Sequence, residues 1–144
     1  MEESLGLLQM IKQKFDCKEQ DIRSYSPLSL AYMGDAVYEL IVRSVVVERA
    51  NRSANHLHRM TVRYVKAQTQ AKMADALSDS LTQEESEIYR RGRNAKSCSM
   101  AKHATVGDYK RATGFEALMG YLYLTGQTDR MLELVRKGIE LAGM

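Results

Sequence analysis

SPLSLAYMGDAVYELIVRSVVVER, residues 26–49, reads as one long helix, apolar around most of its circumference. Ser26 supplies the N-cap, because its short side chain can accept from the free amides of the first turn. Pro27 suits the first helical position, where no amide is needed. A helix apolar on all sides belongs at the centre of a domain. Gly34 and Asp35 are out of place in it. Glycine inside a helix costs about 1 kcal/mol relative to alanine. An ionised carboxylate among apolar side chains is expensive unless a cation or strong hydrogen bonds compensate for it.

A second stretch has the same character. YKRATGFEALMGYLYLTG, residues 109–126, carries Glu116 and, one turn later, Gly120, and Gly126 stops it. For a single buried acid, an arginine partner is the commoner answer. Two acids in the two most apolar helices suggest instead a shared cation site. Interior glycines let two helices cross closely, and such a crossing would bring Asp35 and Glu116 together. Oxygen ligands alone suit magnesium or manganese, and the absence of clustered His and Cys argues against zinc. Glu39, one turn after Asp35, either reaches toward that site or pairs with Arg43, and the pairing is favoured.

The rest of the chain is also helical, with no alternating strand pattern and no repeat. A first helix covers residues 5–15. Another begins at Ser53 and runs to residue 80 with a break at residues 64–67. Thr82 and Glu85 form a capping box for a helix ending near Gly92. RGRNAKSCSMAKHATVGD, residues 91–108, is the loop candidate, and Thr128 can cap a final amphipathic helix. The expected architecture is all-α: one domain over residues 1–144, with about six or seven helices around a central apolar helix.

At 144 residues such a domain can bury a substantial core. Nine methionines are better explained as core filler than as ligands. Acids near the N-terminus do not suit a signal peptide. The longest apolar run, LIVRSVVV, is broken by Arg43 and too short to span a membrane. Cys17 and Cys98 form neither a metal motif nor a disulfide framework, so the expected location is cytoplasmic. There is no nucleophilic Ser or Cys motif and no phosphate-binding glycine loop. His56, His58 and His103 lack a spacing that couples them to the acids. Tyr32, Tyr38, Tyr121 and Tyr123 fall in the apolar helices and are expected in the core.

Charge is uneven along the chain. Residues 90–111 hold Arg90, Arg91, Arg93, Lys96, Lys102, Lys110 and Arg111 against one acid, Asp108, on a chain whose net charge is only +3. Charge alone leaves two readings open, an anion-binding loop or a solvated basic one.

AYMGDAVYEL and GFEALMGYLYLTG, about 80 residues apart, together resemble the two signature blocks of the ribonuclease III catalytic domain. The further acids of the fuller enzymes are replaced here by Ala31 and Thr113, and no double-stranded-RNA-binding domain follows. Both features, with GDAVYE and RGRNAK, resemble the Mini-III branch of that family. The resemblance implies a metal-dependent endoribonuclease that cuts double-stranded RNA in the maturation of precursor 23S ribosomal RNA. Asp35 and Glu116 would be the catalytic residues and the metal ligands. Mg²⁺ would be the cofactor, with Mn²⁺ as its substitute, and the products would carry 5′-phosphates and 3′-hydroxyls. It implies a homodimer, a ribosomal-protein helper, and duplex binding by Arg93, Lys96 and Lys102. It also moves the basic segment toward the nucleic-acid reading. The alternative is a non-catalytic, ribosome-associated RNA-binding module of the same fold, which would leave the paired acids without a purpose.

Overall fold

The computed structural model describes residues 6–96 and 105–144. Over these the chain forms α1 (Leu7–Lys14), α2 (Pro27–Arg49), α3 (Ala54–Val65), α4 (Ala67–Leu77), α5 (Gln83–Arg93), α6 (Val106–Leu124) and α7 (Thr128–Leu141). One-turn 3₁₀ segments lie at Ile22–Ser24 and Ser78–Ser80, and the described residues contain no strand. The all-α expectation holds.

Short polar side chains open these helices as the sequence predicts. Ser26 accepts from the amide of Ser29, and Ser53 from that of His56. Thr82 and Glu85 make a reciprocal capping box, which satisfies two amides that the helix leaves unpaired. The break between α3 and α4 falls at Lys66, inside the expected interval. α6 begins earlier than expected. Thr105 accepts from the amide of Asp108, so residues 106–108 are helical rather than loop. Thr128 is the first residue of α7, and Gln127 is the N-cap, its side chain making no capping bond.

α6 is the enclosed helix: from Ala112 to Leu122 every residue except Glu116 is buried. α2 packs along it through Leu30, Gly34, Val37 and Tyr38, and the Tyr38 ring meets Phe115 edge-on at 5.1 Å between centroids. Each fully buried side chain of this size contributes about 1.5–3 kcal/mol. The opposite side of α2 is not covered. Leu28, Tyr32, Leu40 and Val47 are exposed there, Tyr32 to 83%. The central position thus belongs to α6 rather than α2, and Tyr32 is a surface residue. α4, α5 and α7 close the remaining sides.

Among the described residues, the fully buried acid lies in α5, outside α2 and α6. Glu85 is only 4% exposed, and Arg130 of α7 grips both its oxygens at 2.9 and 2.8 Å while also reaching the carbonyl of Ser80. That pair locks the start of α5 to α7. Among the described residues, no helix is long and apolar enough to cross a membrane.

Candidate active site

The site starts from missing side chains. A Cβ built on Gly34 would stand 1.7 Å from the backbone oxygen of Glu116, and one on Gly120 would stand 1.9 Å from that of Leu30. No real side chain tolerates such distances, so only two glycines allow α2 and α6 to cross here. The crossing sets the residue after Gly34 against the residue one turn before Gly120. Those residues are Asp35 and Glu116, near enough that the Asp35 carboxylate raises the proton affinity of Glu116. Gly34 and Gly120 thus make the close crossing expected of interior glycines.

The two acids are not equivalent. Glu116 is half-buried, whereas Asp35 is exposed at the rim. The expectation that both are buried fails for Asp35, because one step along a helix turns the side chain by about 100°, from the crossing at Gly34 toward solvent. Burial, and next the charge of Asp35, push the Glu116 carboxyl up to about 8. Gln70 of α4 opposes this by donating Nε2 to Glu116 Oε2 at 3.3 Å. Tyr38 lies beneath the pair with its hydroxyl donating to the carbonyl of Tyr64 at 2.8 Å. Burial is the main reason that its phenol is held well above the usual range.

Such a pair suits one kind of ion. Two carboxylates facing each other repel, and a cation between them removes both the repulsion and the cost of burying Glu116. Among the described residues there is no group of three or more His, Cys, Asp or Glu side chains that could hold a metal. A site with two acids fits a hard cation that keeps several waters, such as Mg²⁺, and not a zinc cage. Ala31 and Thr113 are buried, and the Thr113 hydroxyl is spent on the carbonyl of Tyr109. Glu39 is engaged by Arg43 at 2.6 Å, the structural role favoured for it.

The basic residues divide. Gly92, near the end of α5, packs against Thr113, Gly114 and Ala117 of α6. Arg93 follows, half-buried, with its guanidinium 5.8 Å from the Tyr89 ring centroid, and Lys96 is exposed. Lys102 lies outside the described residues. Arg111 is committed internally, bridging Asp75 at 3.2 Å and Asp108 at 2.9 Å, so it does not belong to a free basic surface. A second basic run went unread in the sequence. From Arg49 through Lys72 there are six bases (Arg49, Arg52, Arg59, Arg63, Lys66, Lys72) and no acid.

Comparison with known proteins identifies the family. The model of the ribonuclease III domain matches residues 28–127, an interval that contains both acids and both crossing glycines. The chain is 45% identical over 123 residues to Mini-ribonuclease 3 of Thermoanaerobacter sp. (strain X514), covering 85% of this chain and 87% of that one. It is 46% identical over 126 residues to Mini-ribonuclease 3 of Enterococcus faecalis, covering 86% and 96%. A crystal structure of a Fusobacterium nucleatum protein superposes with a TM-score of 0.76 at 30% identity, covering 85% of this chain and 98% of that one.

Proposed function

From the premise that this chain belongs to the ribonuclease III family, in its Mini-III branch, we propose that it is a Mg²⁺-dependent endoribonuclease that cuts double-stranded RNA. The observation that carries the reading is the glycine-set crossing that holds Asp35 against Glu116. The relatives named Mini-ribonuclease 3 support the ribonuclease activity. The metal, the duplex and the products are inferred from the chemistry of the site.

Asp35 and Glu116 would hold the cation, which supplies Lewis-acid stabilisation and lowers the cost of deprotonating water. Asp35, at the rim, can take part while facing the solvent from which RNA arrives. Glu116, fixed beneath it, gives the site a rigid floor. The carboxylates orient the attacking water in line with the scissile phosphodiester. A new P–O bond forms from water and the bond to the 3′ oxygen breaks, leaving a 5′-phosphate and a 3′-hydroxyl. An A-form duplex hides its major-groove base edges, so the protein reads phosphates and 2′-hydroxyls. Arg93 and Lys96, delivered by the end of α5, serve that purpose, and Lys102 is assigned the same role.

The uncovered apolar stripe of α2, from Leu28 through Tyr32 and Leu40 to Val47, supports a homodimer that sets one site over each strand. Precursor 23S ribosomal RNA, presented with the help of a ribosomal protein, is the proposed substrate. The test is incubation with a long RNA duplex and with its separate strands, each with Mg²⁺ or with chelator, followed by end mapping. Cleavage of the duplex alone, only with Mg²⁺ and with 5′-phosphate ends, is expected. Duplex binding without cleavage under any divalent metal would favour the non-catalytic module instead.

A further inference from the structure

Gln70 is a polar residue with no part in the proposed mechanism. It stands in the first turn of α4, is 2% exposed, and is among the largest fully buried side chains. Its Nε2 donates to the carbonyl of Val65 at 2.8 Å and to Glu116 Oε2 at 3.3 Å. The Val65 carbonyl can only accept, which fixes the amide with its NH₂ toward both partners. Its Oε1 is then forced into a place where, among the described residues, it has no hydrogen-bond partner.

A buried acceptor left unpaired is a standing cost to the fold. Leucine or methionine would fill the same volume without it. The amide is therefore retained for its donor, and one of the two groups that receive the donor is the half-buried carboxylate of the site. The choice of donor matters. A lysine or arginine here would neutralise Glu116 and repel a cation, whereas an amide holds one carboxylate oxygen and leaves the charge intact. The corner that carries Gln70 is well braced: Tyr38 donates to the carbonyl of Tyr64, and Thr69 to that of Arg63.

Resting on the carboxylate-pair reading above, we propose that Gln70 is a positioning residue of the cation site. It holds Glu116 Oε2 through Nε2 so that the other oxygen, Oε1, faces the ion. The rival is a purely structural role, in which Gln70 serves only to satisfy Val65 at the end of α3. Gln70→Met keeps the volume and removes the donor, and Glu116→Gln serves as the reference.

Mn²⁺ affinity of each folded protein, read by electron paramagnetic resonance, separates the readings. Outer contacts to metal ligands typically matter by about 10–100-fold. Gln70→Met is expected to bind Mn²⁺ at least ~10-fold more weakly, with kcat reduced and KM for the duplex unchanged. Wild-type affinity and kcat in Gln70→Met, beside weakened binding in Glu116→Gln, would overturn the role of Gln70 alone. Wild-type affinity in Glu116→Gln would overturn the carboxylate-pair reading itself. A measurement on wild-type protein keeps the proposal testable if Gln70→Met does not fold. The Gln70 side-chain amide signals in a ¹⁵N spectrum should shift on Mg²⁺ addition with the same saturation as the Glu116 carboxyl carbon. Amide signals that stay fixed while that carbon shifts would refute the proposal.

Discussion

Glu116→Gln should make the metal-free protein more stable, by an amount that depends on pH. The half-buried carboxyl of Glu116 is raised from the usual 4.5 to about 8, first by burial and then by Asp35. A carboxyl raised on folding favours the folded state while it is protonated. That contribution is complete below pH 4.5 and is lost as pH climbs through about 8. Glutamine cannot ionise and can still accept from Gln70. The gap between variant and wild type should therefore be near zero at pH 4.5. At ~1.4 kcal/mol per pH unit it grows to ~3 kcal/mol at pH 7 and ~5 kcal/mol above pH 8. For a domain of this size about 2–4 °C of Tm accompanies each kcal/mol, so roughly 10 °C should separate the two at pH 7. Calorimetry in chelator from pH 5 to pH 9 measures this. Mg²⁺ should then raise the Tm of wild type and leave the variant nearly unmoved, because binding stabilises only what can bind. A Tm gap that stays constant with pH, or a variant less stable than wild type at pH 8, would refute the burial argument.

Three further outcomes follow from the geometry. Gly34→Ala puts a methyl 1.7 Å from the Glu116 carbonyl, so α2 and α6 must separate. Circular dichroism should show a loss of more than ~4 kcal/mol, or no folded protein. Arg93→Ala and Lys96→Ala should weaken duplex binding for every sequence alike and each lower the salt slope by about one, as read by titration at several salt concentrations. Tyr32→Asp, on the exposed stripe of α2, should halve the mass seen by light scattering to the 16.3 kDa of one chain, with the helical spectrum preserved.

Much of the site was legible because its parts violate local preference. Glycines inside apolar helices and acids among aliphatic neighbours have no local reason to be there, and the reason is the crossing of α2 with α6. The caps at Ser26, Ser53 and Thr82 were legible because capping is local chemistry. What periodicity could not show is which side of an all-apolar helix is covered. α2 and α6 look alike in sequence, yet α6 is enclosed and α2 leaves Tyr32 and Leu40 in solvent. Asp35 was misplaced for the same reason.

Gln70 was overlooked because AQTQAK reads as a polar surface. A signal was present: positions 70, 73, 74 and 77 share one helix face, and the other three are Met73, Ala74 and Leu77, all buried. A lone amide in a core stripe deserved a partner. Glu85 was seen only as a cap, since its ion pair with Arg130 joins residues 45 apart in sequence. The start of α6 was missed because Thr105 and Asp108, a cap and its first-turn acid, sat within a run taken for loop.

Asp35 and Glu116 are proposed to act as one cation-binding pair in RNA cleavage. Single-turnover cleavage of an RNA duplex by Asp35→Asn at saturating Mg²⁺ tests it most directly, since Asp35 is exposed and its replacement leaves the core intact. A folded variant slowed at least ~10²-fold, equivalent to ~3 kcal/mol of barrier, is the predicted result. A folded variant that cleaves within a few-fold of wild type would contradict the claim.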